Sequence, residues 1–234
     1  MVKRICLVKK YNPKNIVNCG WNEIYKNPKK YRYYNLFEPH ENLQEIIEIF
    51  SDRNYKKILD LGCGVGRNII PLVKNGFDVE GIDESSEAIR LLKKHLKDKS
   101  LKAKLSVGTF QSLPFPNDYF DAIICIQTLN HGYEKDIKEG FNEMRRVLKP
   151  GGAVFMTLPG RISNGKVRYC LVKTAKRVEK NTYIPTIGDE IGLPHFIFNK
   201  KIIKGFLKGF IMIKNVWNDK KDYYCVLAKK VSCN

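Results

Sequence analysis

Lys57-Ile58-Leu59-Asp60-Leu61-Gly62-Cys63-Gly64-Val65-Gly66-Arg67-Asn68 is the stretch that decides how this chain folds. The run Ile58 to Leu61, apolar apart from Asp60, has the length of a buried strand. Glycines at 62, 64 and 66 permit positive φ and leave no side chain between the backbone and a ligand. A helical pattern starts at about Gly66 and closes at Gly76, and its first free N–H groups point back at the turn. Strand, turn and helix together describe a crevice at the carboxyl end of a central strand, where open α/β sheets bind nucleotides.

Phe77-Asp78-Val79-Glu80-Gly81-Ile82-Asp83 then reads as a second strand ending in an acid. A carboxylate at Asp83 can accept both hydroxyls of a ribose. With the glycine turn beside it, that implies an adenosine ligand, in either a nicotinamide dinucleotide or S-adenosylmethionine. The dinucleotide fingerprint is G-x-G-x-x-G, whereas these glycines fall at 62, 64 and 66. Asp60 also puts a negative charge where a pyrophosphate would be repelled and a methionyl ammonium attracted.

Asp60-Leu61-Gly62-Cys63-Gly64-Val65-Gly66 resembles motif I of the class I S-adenosylmethionine-dependent methyltransferases, and Gly81-Ile82-Asp83 resembles their acidic motif II. Leu113-Pro114-Phe115 with Phe120-Asp121 looks like that family's entry to strand four. Glu143 and Arg146-Val147-Leu148-Lys149-Pro150-Gly151-Gly152 look like its lead into strand five. The four motifs stand in the family's order and spacing, in the manner of its generic "type 11" branch, over roughly residues 56–158.

The resemblance implies a Rossmann-like α/β fold over 56–234: a seven-stranded, mostly parallel sheet with one antiparallel strand and helices on both faces. The strand pair 210–217 and 223–229 would close it. The resemblance also implies a cofactor site made of Asp60, Gly62, Cys63, Gly64, Gly66, Asp83, Glu84, Thr109, Phe110 and Gln127. One position departs from the family. Where an acid usually meets the adenine amino group, Thr109 offers only a hydroxyl, and Phe110 offers a ring or a backbone N–H. His131 matches a histidine common in this branch and reads either as a catalytic base or as a side chain packed under the next helix.

The composition bounds the rest. The chain has 234 residues, enough to bury a core unaided. It has no apolar run of transmembrane length, and its first ten residues lack the pattern of a signal peptide. Seven cysteines without a C-x-x-C pair read as reduced thiols of a cytoplasmic protein, and no metal cluster is visible. The net charge of +18 is uneven: 1–57 carries +6, 58–160 carries +1 and 161–234 carries +11. That excess fits a phosphate backbone. It fits equally a compositional habit, since 32 of the 42 basic residues are lysine.

Two flanking segments are candidates for the acceptor side. Residues 1–55 form an N-terminal lid or cap, with a helix from Trp21 to Pro28 and an aromatic cluster at Tyr31, Tyr33 and Tyr34 that can wall the site. Residues 159–199 form a long substrate-side insertion, which begins on an amphipathic helix pattern with apolar residues at 167, 171, 172, 175 and 178. This insertion brings Arg161 and Arg168, suited to an anionic acceptor, and Asp189, Glu190 and His195, suited to hydrogen bonding or proton removal. Fold analogy puts Asn130 and His131 close to the methyl group. The acceptor is then a small molecule or RNA. The rival readings are a non-catalytic S-adenosylmethionine-binding protein and, further off, a nicotinamide oxidoreductase.

Overall fold

A computed structural model describes residues 20–27, 37–163, 166–167, 174–188 and 190–232. Seven strands form the central sheet: β1 (Lys57–Leu61), β2 (Asp78–Asp83), β3 (Lys104–Val107), β4 (Phe120–Ile126), β5 (Leu148–Pro159), β11 (Phe210–Asn218) and β12 (Tyr223–Lys230). Their order across the sheet is β11-β12-β5-β4-β1-β2-β3. Pairs β1–β2, β1–β4, β2–β3 and β4–β5 are parallel, while β12 runs antiparallel to both neighbours. The expected sheet with one reversed strand is therefore the observed one.

Strand alternation divides two cores. On one face Leu59, Ile123, Cys125, Val154, Met156 and Val226 pack against α5 (Glu134–Val147) and α6 (Lys200–Phe206). On the other, Ile58, Ile124, Phe155 and Leu227 pack against α2 (Leu43–Asp52), α3 (Ile69–Lys74) and α4 (Ser86–Asp98). Successive side chains point to opposite faces, so a central strand must be apolar on both. Each fully buried Leu, Ile or Phe contributes roughly 1.5–3 kcal/mol.

Element ends explain the geometry at the top of the sheet. Helix α3 starts at Ile69, three residues after the start expected from the pattern. Gly66 has φ +91°, outside the right-handed helical region, so 66–68 stay in the turn. Ser85 caps α4 by accepting from the Ala88 N–H at 3.1 Å.

The insertion departs further from expectation. Where an amphipathic helix was expected, the described stretches are short strands: β6 (Ile162–Ser163) pairs β7 (Lys166–Val167), and β8 (Ala175–Arg177) pairs β9 (Thr182–Pro185). Strand β10 (His195–Phe196) completes a small sheet on the far side of β9. Apolar spacing of three to four residues fits a helix, but Thr182, Tyr183 and Ile184 offer a partner strand of β-favouring residues, and pairing wins. Among the described residues no helix is long and apolar enough to cross a membrane.

Candidate active site

The turn after β1 is held against β2. Gly62 and Cys63 both donate to the Ile82 carbonyl, at 2.8 and 3.1 Å. Gly62 has φ +77°, and a Cβ there would overlap the Thr128 side chain at the end of β4. Any side chain at 62 would therefore push apart the two strand ends that bracket the crevice.

Asp60 lies under this turn, 1% exposed, and its Oδ2 has no hydrogen-bond partner. Burial pushes its pKa up to about 7, with the Arg67 guanidinium opposing the rise and Asp83 adding to it. Arg67 itself is lowered by burial and donates to Gln127 Oε1 at 2.9 Å. Asp83, at the end of β2, is also buried and raised by desolvation; the Ser85 and Gly64 N–H groups counter that shift. Its Oδ2 accepts from Gly64 N at 2.8 Å and its Oδ1 from Ser85 N at 2.9 Å. Each oxygen keeps a second lone pair for a ribose hydroxyl.

The β4 end forms the other wall. Gln127 has φ +57°, and its N–H donates to Thr157 Oγ1 at 2.8 Å. Asn130 and His131 follow in a tight turn, both donating backbone N–H to the Thr128 carbonyl. Asn130 is 3% exposed; its Nδ2 is 3.3 Å from His131 Nε2 and its Oδ1 has no partner. The insertion returns to this point, where Phe196 N donates to the Asn130 carbonyl at 2.7 Å. That bond brings His195 edge-on to His131, with ring centroids 4.9 Å apart. Glu190 Oε2 is 3.2 Å from His195 Nε2. Burial holds His131 well below the ordinary histidine range, with His195 adding to the shift and the Gln127 carbonyl opposing it. Burial alone takes His195 down to about 4.

Helix α1 (Trp21–Lys26) crosses this region. Asn22 Oδ1 accepts from Ser85 Oγ at 2.8 Å and from Glu87 N at 3.0 Å, fixing α1 to the start of α4. Trp21 stands edge-on to His131 at 4.7 Å. The Tyr25 hydroxyl lies 2.6 Å from where a Cβ on residue 64 would be.

Asp60, Gly62, Cys63, Gly64, Gly66, Asp83, Gln127, Asn130, His131 and His195 thus gather at one end of the sheet. Glu84 and Thr109 are exposed beside them. The Phe110 ring is buried against Leu129 and Gly140, so the backbone is what residue 110 has left to offer a ligand. Arg161 is exposed just beyond β5. Tyr31, Tyr33, Tyr34, Arg168 and Asp189 lie outside the described residues. Sequence reasoning missed Arg67, Tyr25 and Asn22. Arg67 carried a usable signal, being a charge directly after the last glycine of the turn.

A second polar group lies beside the site. His40 Nε2 is 3.1 Å from Asp219 Oδ2, the Asn42 N–H donates to His40 Nδ1 at 3.2 Å, and Cys225 Sγ donates to Asn42 Oδ1 at 3.5 Å. Together His40, Asp219 and Cys225 are the one metal-type cluster among the described residues. Their hydrogen bonds account for all three, and the group acts as a polar clasp between the segment before α2 and the β11–β12 hairpin.

Comparison with known proteins agrees with this geometry. Residues 58–152 match the family described as "Methyltransferase domain". An uncharacterised methyltransferase of Bacillus subtilis, YcgJ, is 30% identical over 128 residues, which is 54% of this chain and 50% of that protein. The methyltransferase GfsG of Streptomyces halstedii is 28% identical over 65% of this chain and 57% of its own length. This chain thus spans little more than half the length of those relatives. Among solved structures, a Methanosarcina mazei protein described as a SAM-dependent methyltransferase is 25% identical, with TM-score 0.63, over 76% of this chain and 93% of its own. A Pyrococcus horikoshii protein shares the fold at TM-score 0.69 and 24% identity, over 90% of this chain and all of that one.

Proposed function

We propose that this chain is a class I S-adenosylmethionine-dependent methyltransferase, a reading supported by its match to a methyltransferase domain over 58–152, and that it transfers the sulfonium methyl of that cofactor to an acceptor held under α1. The observation that carries the cofactor is Asp60: a fully buried carboxylate with one oxygen unpartnered, under a glycine turn. Such a group demands a cation or a donor, and the ammonium of a methionyl group supplies both. Asp83 takes the ribose hydroxyls, and the glycine turn admits the ligand against its backbone. Thr109, Phe110 N–H and Glu84 border the adenine side, and Gln127 the methionyl side.

The bound cofactor supplies an electrophilic methyl on a good, neutral leaving group, so the protein's work is alignment and exclusion of water. Trp21 and Tyr25 cover the crevice, while Asn130, His131 and His195 face the acceptor. Burial keeps both histidines neutral at pH 7, each able to donate and accept a hydrogen bond. The cover over His131 supports a small-molecule acceptor over an RNA, and the buried free thiols Cys63, Cys125 and Cys225 fit a reducing cytoplasm. Calorimetry tests the cofactor assignment. S-adenosylhomocysteine should bind and NAD should not; binding of NAD alone would refute the assignment.

A further inference from the structure

The acceptor side contains a deficit separate from that of Asp60. Asn130 is almost wholly buried, and its carboxamide meets His131 Nε2 at one end and nothing at the other. Turning the amide end for end moves the deficit from oxygen to nitrogen without removing it. The neighbouring Nδ1 of His131 is also buried and makes no hydrogen bond of full geometry, with the Gln127 carbonyl close enough to favour the charged ring. Two buried polar atoms without a full partner, on side chains that already touch at 3.3 Å and whose backbones share the Thr128 carbonyl, are costly unless something fills the place. A hydroxyl is both donor and acceptor, so it satisfies either orientation of the amide and either tautomer of the imidazole.

The surroundings narrow the class further. Trp21, His131 and His195 meet edge to face, at 4.7 and 4.9 Å between ring centroids. A lining made of aromatic rings favours a flat partner. Charge is disfavoured by the described residues, because among them an anion would find uncharged imidazoles with the Glu190 carboxylate behind them, and a cation would lose its water without a direct carboxylate partner. We propose that the acceptor subsite beneath Trp21 takes an uncharged, flat molecule whose hydroxyl is held between Asn130 and His131. This inference rests on the methyltransferase reading and specifies its acceptor.

Phenol, toluene, benzoate and benzylamine are the probes, added to the full chain saturated with S-adenosylhomocysteine. The protein has two tryptophans, so in the Trp217→Phe variant the remaining indole N–H resonance reports Trp21 by NMR. Phenol should shift that resonance saturably and bind at least about tenfold more tightly than the other three. Asn130→Ala should shrink the preference over toluene to less than about twofold. Equal binding of phenol and toluene by the unaltered subsite, or tighter binding of either charged probe, would overturn the inference even if Asn130→Ala failed to fold. Calorimetry separates the two levels. If S-adenosylhomocysteine binds but phenol shows no preference, only the acceptor class falls; if S-adenosylhomocysteine does not bind, the cofactor assignment and this inference fall together.

Discussion

The two halves of the crevice are built on different principles. The β1–β2 half is backbone: a turn bonded to the Ile82 carbonyl, an acid at each strand end, and no room for a side chain at 62. The half made by α1 and the insertion is side chain: Trp21 on His131, His131 on His195, and Asn22 on Ser85. A backbone-built site recognises one ligand and tolerates little change. A side-chain-built cover can be re-lined residue by residue while the sheet beneath stays the same.

Glycine replacement should separate the halves most sharply. Gly62 and Gly188 have similar positive φ, +77° and +88°, but a Cβ on Gly188 meets nothing within 4 Å among the described residues. Gly62→Ala should weaken S-adenosylhomocysteine at least about 100-fold by calorimetry and cost about 1–3 kcal/mol of stability beyond Gly188→Ala. Equal losses for the two would show that backbone strain, and not the fit against Thr128, governs the turn.

The cover should be the acid-sensitive half. His195 titrates near 6.5 when unfolded and near 4 when folded, so the folded state binds fewer protons and loses stability as pH falls through that window. Between pH 6.5 and 5 the loss from this one residue should be about 1.6 kcal/mol in urea melts. His195→Asn should remove that share. An unchanged pH slope would mean that His195 is hydrated.

Asp60 should make cofactor binding in the other half acid-sensitive too, at a higher pH. Below about pH 7 its carboxyl in the free protein holds a proton that an incoming ammonium must displace. Affinity for S-adenosylhomocysteine should therefore drop about tenfold per pH unit below 7 and level off above it. Asp60→Asn should abolish the slope and lower the plateau by roughly tenfold. A slope that survives in Asp60→Asn would assign the proton to another group.

The smallest effect concerns the tie between the halves. Asn22→Ala removes an acceptor for Ser85 Oγ and Glu87 N and should cost about 1 kcal/mol. Amide exchange should speed up across α1 and leave β1 and β4 unchanged. Uniform loss of protection would make α1 part of the core.

Legibility in the sequence followed the same division. Strands β1, β2, β4 and β12 and the Ser85 cap were readable, because buried strands and caps leave local patterns, whereas the reversed strand came from the family resemblance. Residues 162–163, 166–167 and 175–177 were misread as helix because their apolar spacing suits both states, and what decides is the partner strand each finds across a turn, β9 in the case of 175–177. His195 was readable as a polar residue in a long connection. Its meeting with His131 was not, since a backbone bond from Phe196 to Asn130, 66 positions earlier, sets it. Arg67 and Tyr25 were missed because burial of a charge and of a hydroxyl depends on what folds over them.

The His40–Asp219 clasp joins residues 179 positions apart, and Lys220 N donates to Glu41 across the same gap. Contacts of such separation close late, after the loops between them have been drawn in. During synthesis, the segment leading into α2 leaves the ribosome long before its partner hairpin exists. The sheet from β1 to β5 can assemble in that interval with one flank of its crevice still untied. Completion of the crevice is thereby linked to emergence of the β11–β12 hairpin, and a nascent chain arrested before residue 219 would present the glycine turn without its clasp.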